Sequence, residues 1–135
     1  MRIRRITTAA LLVAISTPFV HAASLKENEL SSMLNRIAKE SSVGTPRAIN
    51  ENILDRGYTV DGTELVNHLS VLPAHAAQMR ENKGAMRNQL TQSVCNNRGF
   101  RQLLERGAKL RYEFSEYKTN SPIATERFDR SDCGA

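Results

Sequence analysis

The chain opens with three arginines among its first five residues and has no acidic residue near them. An apolar stretch follows over residues 6–20, and small side chains stand at Val20 and Ala22, the positions that a signal peptidase inspects. A basic start, a short apolar middle and a small-residue exit are typical of a secretory signal. The sequence therefore predicts a signal peptide over residues 1–22, cut after Ala22 or, alternatively, after Ala23.

This segment decides the size and the compartment of what remains. Its apolar run is shorter than the roughly 20 residues of a membrane-spanning helix, so cleavage is favoured over an uncleaved anchor. No second apolar run could span a membrane, and no cysteine stands directly after the predicted cut to carry a lipid. We expect a single small domain, residues 23–135, that is periplasmic or secreted and has no stable membrane insertion.

The positive charge of the chain belongs largely to the signal. The full sequence has 19 lysines and arginines against 14 aspartates and glutamates, a net charge of +5. Removing the three N-terminal arginines leaves 16 basic residues against 14 acidic ones, a net charge of +2. A charge this small does not select nucleic acid, and few aromatic residues are left over for stacking on bases. We expect another protein, and no nucleic acid, as the partner.

Cys95 and Cys133 are the only cysteines in the sequence. In an oxidising compartment they are expected to form a structural disulfide. The loop that it closes is worth about 4 kcal/mol in the chain-entropy model. A reactive thiol would need a nearby base or a Cys-x-x-Cys spacing, and neither is present. A bridge between two chains is the remaining alternative.

Apolar residues at helical spacing predict three helices in the mature chain. The first covers residues 25–39 and begins with a capping box. The second runs from Pro73 to about Cys95 with an interruption near Gly84, since proline is tolerated in a first helical turn. Asn97 caps a short third helix, which ends before a glycine.

Two β-hairpins are predicted around these helices. The first joins residues 49–60 and 63–72 through the turn Asp61-Gly62, with Tyr58 opposite Leu65.

The second hairpin begins with an alternating strand that contains Tyr112 and returns over residues 123–132. The element order α-β-β-α-α-β-β predicts an α+β domain with one disulfide. Its antiparallel sheet consists of the two hairpins and is covered on one face by helices.

No group of residues in the sequence predicts catalysis, metal binding or a cofactor. His68 and His75 are the histidines of the mature chain, and no carboxylate stands at metal-ligand spacing from them. The motifs of a serine hydrolase and of a phosphate-binding loop are not present. The charged segment around Arg98, Arg101 and Glu105 is interpreted as a solvated helix face.

Several short motifs together resemble a known family. In chain order they are Thr45-Pro46, Ile49-Asn50, Asp61-Gly62, Cys95, Leu103-Leu104, Gly107, Tyr112, Phe114 and Asp132-Cys133. Preceded by a signal peptide, they are similar to the small exported proteins grouped as quorum-sensing-regulated virulence factors of Gram-negative bacteria. The resemblance implies a small α+β protein, secreted or periplasmic, that has no established catalytic site.

Three functions are compatible with the sequence. The first is an exported, non-enzymatic protein that binds another protein, with the association with virulence implied by the resemblance. The second is an accessory protein of a conjugation or secretion system, since such proteins share this general layout. The third is a small-ligand binder or enzyme with a site around Tyr58, His68 and His75. The lack of a catalytic motif favours the first.

Overall fold

The computed structural model describes residues 19–134, with side chains from Leu25 onward. Within this range there are four α-helices: α1 (Phe19–Ser41), α2 (Pro73–Glu81), α3 (Lys83–Asn96) and α4 (Arg98–Glu105). The five β-strands are β1 (Arg47–Asn50), β2 (Ile53–Asp61), β3 (Glu64–Val71), β4 (Lys109–Glu116) and β5 (Pro122–Phe128). A short 3-10 helix, Arg130–Cys133, follows β5. Residues 1–18 of the predicted signal peptide, and the side chains of Ala22 and Ala23, lie outside the described residues.

The helices follow the prediction closely, with changes at their ends. α1 begins at Phe19 instead of residue 25, and the added turn contains Ala22 and Ala23, whose residue type has the highest helix propensity. The predicted interruption near Gly84 lies at Asn82, where α2 ends and α3 begins. Within the described chain, no helix is long and apolar enough to cross a membrane.

The strands form one sheet in the order β1-β2-β3-β4-β5. Neighbouring strands are antiparallel except β3 and β4, which are parallel, with Glu64 beside Lys109 and Val71 beside Glu116. The prediction of an all-antiparallel sheet is therefore wrong at its centre. The physical reason is the connection between these two strands: α2, α3 and α4 return the chain to the end where β3 began, and parallel pairs require such a crossover.

The first predicted strand, residues 49–60, is also wrong as a single element. It is divided into β1 and β2 by a turn in which Asn50 Oδ1 accepts a 2.8 Å hydrogen bond from the Asn52 backbone N–H. Asparagine favours this kind of turn because its side chain can bond to the backbone two residues on. The two segments then pair with each other, so the sheet gains an edge strand.

The turn of the first hairpin lies one residue later than predicted, which shifts the pairing of its strands by two residues. Val60 pairs with Leu65, and Tyr58 pairs with Asn67 instead of Leu65. The two central turn residues are Gly62 and Thr63, with glycine first at a φ of 62°. Glycine at the first central position is typical of a type II′ turn, whereas the prediction assumed type I′.

All helices pack on one face of the sheet, where two clusters form the core. The larger one joins α1, α3 and α4 to the sheet through Leu34, Val94, Leu104, Leu65 and Phe128. The smaller one joins α2 to the sheet through Met79, Leu69, Val71, Phe114 and Ile123. The opposite face carries polar and charged residues, among them Arg111, which lies 3.3 Å from Asp61 and 3.5 Å from Glu64.

Candidate interaction surface

Five exposed cationic side chains lie around α4 and the 3-10 helix. They are Arg98, Arg101, Arg106, Lys109 and Arg130. Among the described residues, none of the five has a carboxylate oxygen within 4.0 Å. We call these five residues the α4 basic surface.

The geometry of α4 places two of these arginines on one side. The Asn97 side chain starts the helix by accepting a 3.0 Å hydrogen bond from the backbone N–H of Phe100. Leu104 is buried against the core at 2% exposure. Since residues three or four apart share a helix face, burying the apolar side turns Arg98 and Arg101 outward together.

Two shallow depressions flank α4. The first has a volume of about 530 Å³ and is lined by Cys95, Asn96, Arg98, Arg101, Gln102 and Glu105. The second has a volume of about 440 Å³, and its charged lining residues are Glu105, Arg106, Lys109, Asp129 and Arg130. A small gap lined by Arg101, Glu105 and Arg130 adjoins both. The depressions and the gap therefore form one continuous surface around Glu105.

Positive charge exceeds negative charge on this surface. Two carboxylates, Glu105 and Asp129, lie among the five cations. The side-chain and backbone hydrogen bonds from Ser131, aided by the charge of Lys109, hold the pKa of the Asp129 carboxyl below its usual value. Elsewhere, Arg47, Arg80, Arg87, Arg111 and Arg127 are all paired with carboxylates. Like the cations of the surface, Lys26, Arg36, Lys39, Arg56, Lys83 and Lys118 have no carboxylate oxygen within 4.0 Å among the described residues. What distinguishes the α4 basic surface is that its five cations all line two adjoining depressions.

A disulfide fixes the two parts of this surface together. Cys95 near the end of α3 is bonded to Cys133 in the 3-10 helix, and their Cα atoms are 5.3 Å apart. Because Arg98 follows Cys95 closely and Arg130 precedes Cys133, the bond holds these arginines on one side of the molecule. The bond lies within one chain, as the sequence predicted.

Arg87 of α3 also holds the 3-10 helix in position beside α3. Its guanidinium lies 2.7 Å from Glu126 on β5 and 3.2 Å from Asp132 in the 3-10 helix. It also lies 4.6 Å from the centre of the Phe128 ring, within cation–π range. The hydrogen bond to Glu126 is the largest cause that raises the pKa of Arg87. These contacts attach α3 to the end of the chain independently of the disulfide.

The sequence pattern indicated only part of this surface. It interpreted Arg98, Arg101 and Glu105 as a solvated helix face, and all three are exposed. It did not bring Lys109 and Arg130 to them, because these residues come from other elements and meet α4 only in the folded chain. The cysteine pair carried a usable signal, since a bond from Cys95 to Cys133 requires Arg130 to lie near the start of α4.

The three residues proposed for a hidden catalytic or ligand site do not come together. Tyr58 faces the helices and packs against the larger core cluster. His68 lies on the opposite face of the sheet, because its neighbour Asn67 is the residue paired with Tyr58. His75 lies in the first turn of α2. A site built from all three is therefore excluded by the topology.

His68 has its own polar neighbours on the open face. Its Nε2 lies 2.7 Å from Thr59 Oγ1, and its Nδ1 lies 3.5 Å from Glu113 Oε2. A hydroxyl, an imidazole and a carboxylate in this order occur in hydrolases, where free backbone N–H groups also stabilise the oxyanion. Here β3 is paired on both sides, so its N–H groups donate within the sheet. The arrangement is that of polar side chains paired across neighbouring strands. In the part of the chain that is described, no cluster of three or more His, Cys, Asp or Glu could hold a metal ion.

Comparison with known proteins identifies the family of the chain. A family model described as "Putative quorum-sensing-regulated virulence factor" matches residues 23–134. The chain belongs to this family. The resemblance inferred from the short motifs is thereby confirmed. Among curated proteins, none matches the sequence significantly.

A solved structure supports the same assignment. It is described as a "putative secreted protein" from Pseudomonas aeruginosa and is 65% identical to this chain, with a TM-score of 0.79. The alignment covers 81% of this chain and 96% of that one. The likeness therefore extends over nearly the whole of that protein.

Two more distant structures share the fold. The pilotin EpsS of the type 2 secretion system of Vibrio vulnificus is 15% identical, with a TM-score of 0.70 over 82% of this chain and 96% of its own. The type II secretion pilotin AspS of Vibrio cholerae is 16% identical, with a TM-score of 0.67 over 83% of this chain and 99% of its own. At these identities the comparison establishes a common fold.

Proposed function

We propose that the protein acts outside the cytoplasm as a non-enzymatic interaction protein, and that its partner belongs to a secretion system. The observation that carries this proposal is the fold that it shares with two type II secretion pilotins, over 96% and 99% of their chains. A fold alone does not determine function. Here it is combined with the α4 basic surface, whose five cations outnumber its two carboxylates. The polar side chains of residues 59, 68 and 113 are arranged as ordinary cross-strand pairs.

Export is part of the proposal. The family match begins at residue 23, which is the residue after the predicted cut at Ala22, and the 65%-identical relative is described as secreted. We therefore propose that the chain loses residues 1–22, folds as one domain over residues 23–135 and forms its disulfide in the periplasm. Mass spectrometry of the protein from the periplasm and the culture fluid measures the cut directly. A chain that retains residue 1 in both fractions would contradict this part.

The interaction is tested in living cells of the bacterium that makes the protein. Photo-crosslinking residues are placed one at a time at three exposed positions on different sides: Ile49, Lys83 and Arg101. We expect at least one position to capture a component of a secretion system, and we expect a deletion strain to release less of the proteins exported by type II secretion. If no position captures a protein, the interaction proposal is wrong. If the released proteins are unchanged in the deletion strain, the link to type II secretion is wrong.

A further inference from the structure

We propose that the α4 basic surface binds an acidic segment of the partner protein, in an extended conformation. This inference rests on the proposed function, and it goes further by naming the surface and the chemistry of the partner. The five cations of this surface have no carboxylate oxygen within 4.0 Å among the described residues.

The chemistry of the cations favours carboxylates. Four of the five are arginines, and the planar guanidinium group can donate two parallel hydrogen bonds to one carboxylate. Arg98 and Arg101 are three residues apart on α4, so their side chains start about 5–6 Å apart. Alternate side chains of an extended strand are about 7 Å apart on one side. The long arginine side chains can span the difference, so a segment with acidic residues at alternate positions can contact both arginines.

The acidic residues within the surface argue for a peptide over a uniform polyanion. Glu105 lies between the two depressions and lines both of them. A phosphate backbone or an anionic membrane would bring negative charge against this carboxylate as well. A peptide can avoid that contact, because it can place a backbone N–H group or a neutral residue beside Glu105.

The positions of exposed apolar residues also argue against a membrane. The large hydrophobic side chains with substantial exposure are Leu25, Val43, Ile49, Leu72 and Tyr117. They lie on α1, after it, on β1 and at the ends of β3 and β4, and none lines the two depressions. Membrane association through this surface would depend on charge alone, whereas interfacial binding normally combines charge with buried apolar area.

The surface is held in place before any partner arrives. The Cys95–Cys133 bond and the contacts of Arg87 fix the 3-10 helix against α3. Arg101 and Arg130 thus approach the same gap from two rigid elements. Such preorganisation lowers the entropy cost of binding.

The test uses the oxidised mature protein and a fluorescent peptide in which glutamate alternates with serine. We expect this peptide to bind more tightly than its glutamine counterpart and to shift the backbone amide NMR signals of residues 98–109 and 130–133. Exchanging both Arg101→Glu and Arg130→Glu is expected to weaken binding about tenfold. The control Lys83→Glu makes a charge change of the same sign at an exposed helical position away from the surface, and binding is expected to stay the same.

Several outcomes overturn the inference. Lys83→Glu changes the net charge by −2 and the double variant by −4. A loss of affinity in Lys83→Glu that is half as large on a logarithmic scale would therefore show that only overall charge matters. Unchanged binding in the double variant, with circular dichroism showing an intact fold, would remove the surface from the interaction. Tighter binding to phosphatidylglycerol vesicles or to single-stranded DNA than to the glutamate peptide would assign the surface to another class of ligand. A crosslinked partner at Ile49 or Lys83 alone, together with a failed peptide experiment, would retain the proposed function and reject only this surface.

Discussion

The side-chain amide of Asn67 donates a 3.0 Å hydrogen bond to Asp55 Oδ1 between β3 and β2. The same oxygen accepts a 2.9 Å bond from the backbone N–H of Gly57. Asp55 and Asn67 are 4% and 5% exposed, so the polar cluster lies inside the domain. It occupies the point where the register of the two strands shifts, between Asp55 and Tyr58. The cluster therefore holds a bulge in β2.

Replacing Asp55 by alanine is expected to lower the free energy of unfolding by about 2 kcal/mol, because a buried amide and a buried backbone N–H lose their acceptor. Urea denaturation of the oxidised protein measures this change. The control is Asp61→Ala, which removes an exposed carboxylate from an ion pair with Arg111 and should change stability by no more than about 0.5 kcal/mol. Equal effects of the two variants would contradict a structural role for the buried cluster.

Gly57→Ala is expected to destabilise the domain more than Gly62→Ala. Both glycines have positive φ, 101° and 62°. A Cβ atom at Gly57 would lie 2.9 Å from Ser42 Oγ and 3.0 Å from Thr45 Oγ1, whereas at Gly62 nothing lies within 4 Å. We expect a loss of about 1 kcal/mol at Gly62 from backbone conformation alone, and a larger loss at Gly57.

Thermal unfolding of both variants gives the comparison. Placing Gly57→Ala in a Ser42→Ala background removes the nearest atom, Ser42 Oγ, and is expected to make the alanine at position 57 less costly, while Thr45 Oγ1 stays 3.0 Å from the new Cβ. If alanine costs as much at Gly62 as at Gly57, the close approach of the α1 end to β2 is not important for stability.

Removing the disulfide with Cys95→Ser and Cys133→Ser together is expected to cost about 4 kcal/mol, since the bond closes a loop over a sequence separation of 38 residues. Guanidinium unfolding of the double variant and of the wild type gives the value. The peptide-binding experiment should show weaker binding in this variant even below its unfolding range, because the 3-10 helix that carries Arg130 is then no longer bonded covalently to α3. A variant as stable as the wild type would contradict the loop-closure argument.

The domain is expected to lose stability in alkaline solution. Burial raises the pKa of the Tyr58 phenol, with a smaller effect of the Asp55 charge, and burial likewise raises the pKa of Tyr112. A raised pKa means that the folded state favours the neutral phenol. This contribution is complete below the ordinary tyrosine value of about 10 and is lost as pH rises above it.

Thermal midpoints recorded between about pH 9 and about pH 11 test this effect. Tyr112→Phe is expected to fall less steeply over this range than the wild type. Tyr117→Phe is the control, because Tyr117 is 40% exposed, and it should keep the slope of the wild type. The same slope in all three proteins would assign the loss to other groups, such as lysines.

The helices were predictable because their signals are local. Asn97 caps α4 as expected, and Gly107 has the positive φ, 95°, that follows many helix ends. The register of the first hairpin was less predictable, since Asp61-Gly62 and Gly62-Thr63 both provide a turn with glycine. Only the packing of β2 against its neighbours selects between them.

The sheet topology and the interaction surface depend on contacts that a local pattern does not specify. Alternation in β4 predicted a strand correctly but gave no direction relative to β3. The long helical connection between Val71 and Lys109 was nevertheless a signal for a parallel pair, and the prediction did not use it. Arg130 and Lys109 join Arg101 only through the crossover and the disulfide, so the surface could not be assembled from sequence spacing.

The crossover between the parallel strands β3 and β4 begins at Pro73, and the disulfide links only residues that come after it. Everything before Pro73 forms one piece of the chain, and both cysteines lie in the other. The disulfide therefore cannot retain the first piece if the backbone is cut between Leu72 and Pro73. Fragments 23–72 and 73–135 would then be joined by noncovalent contacts alone: the β3–β4 ladder, the shared core and ion pairs such as that of Arg111 with Glu64. Reassembly of the two fragments from separate polypeptides would therefore measure the combined strength of these noncovalent contacts.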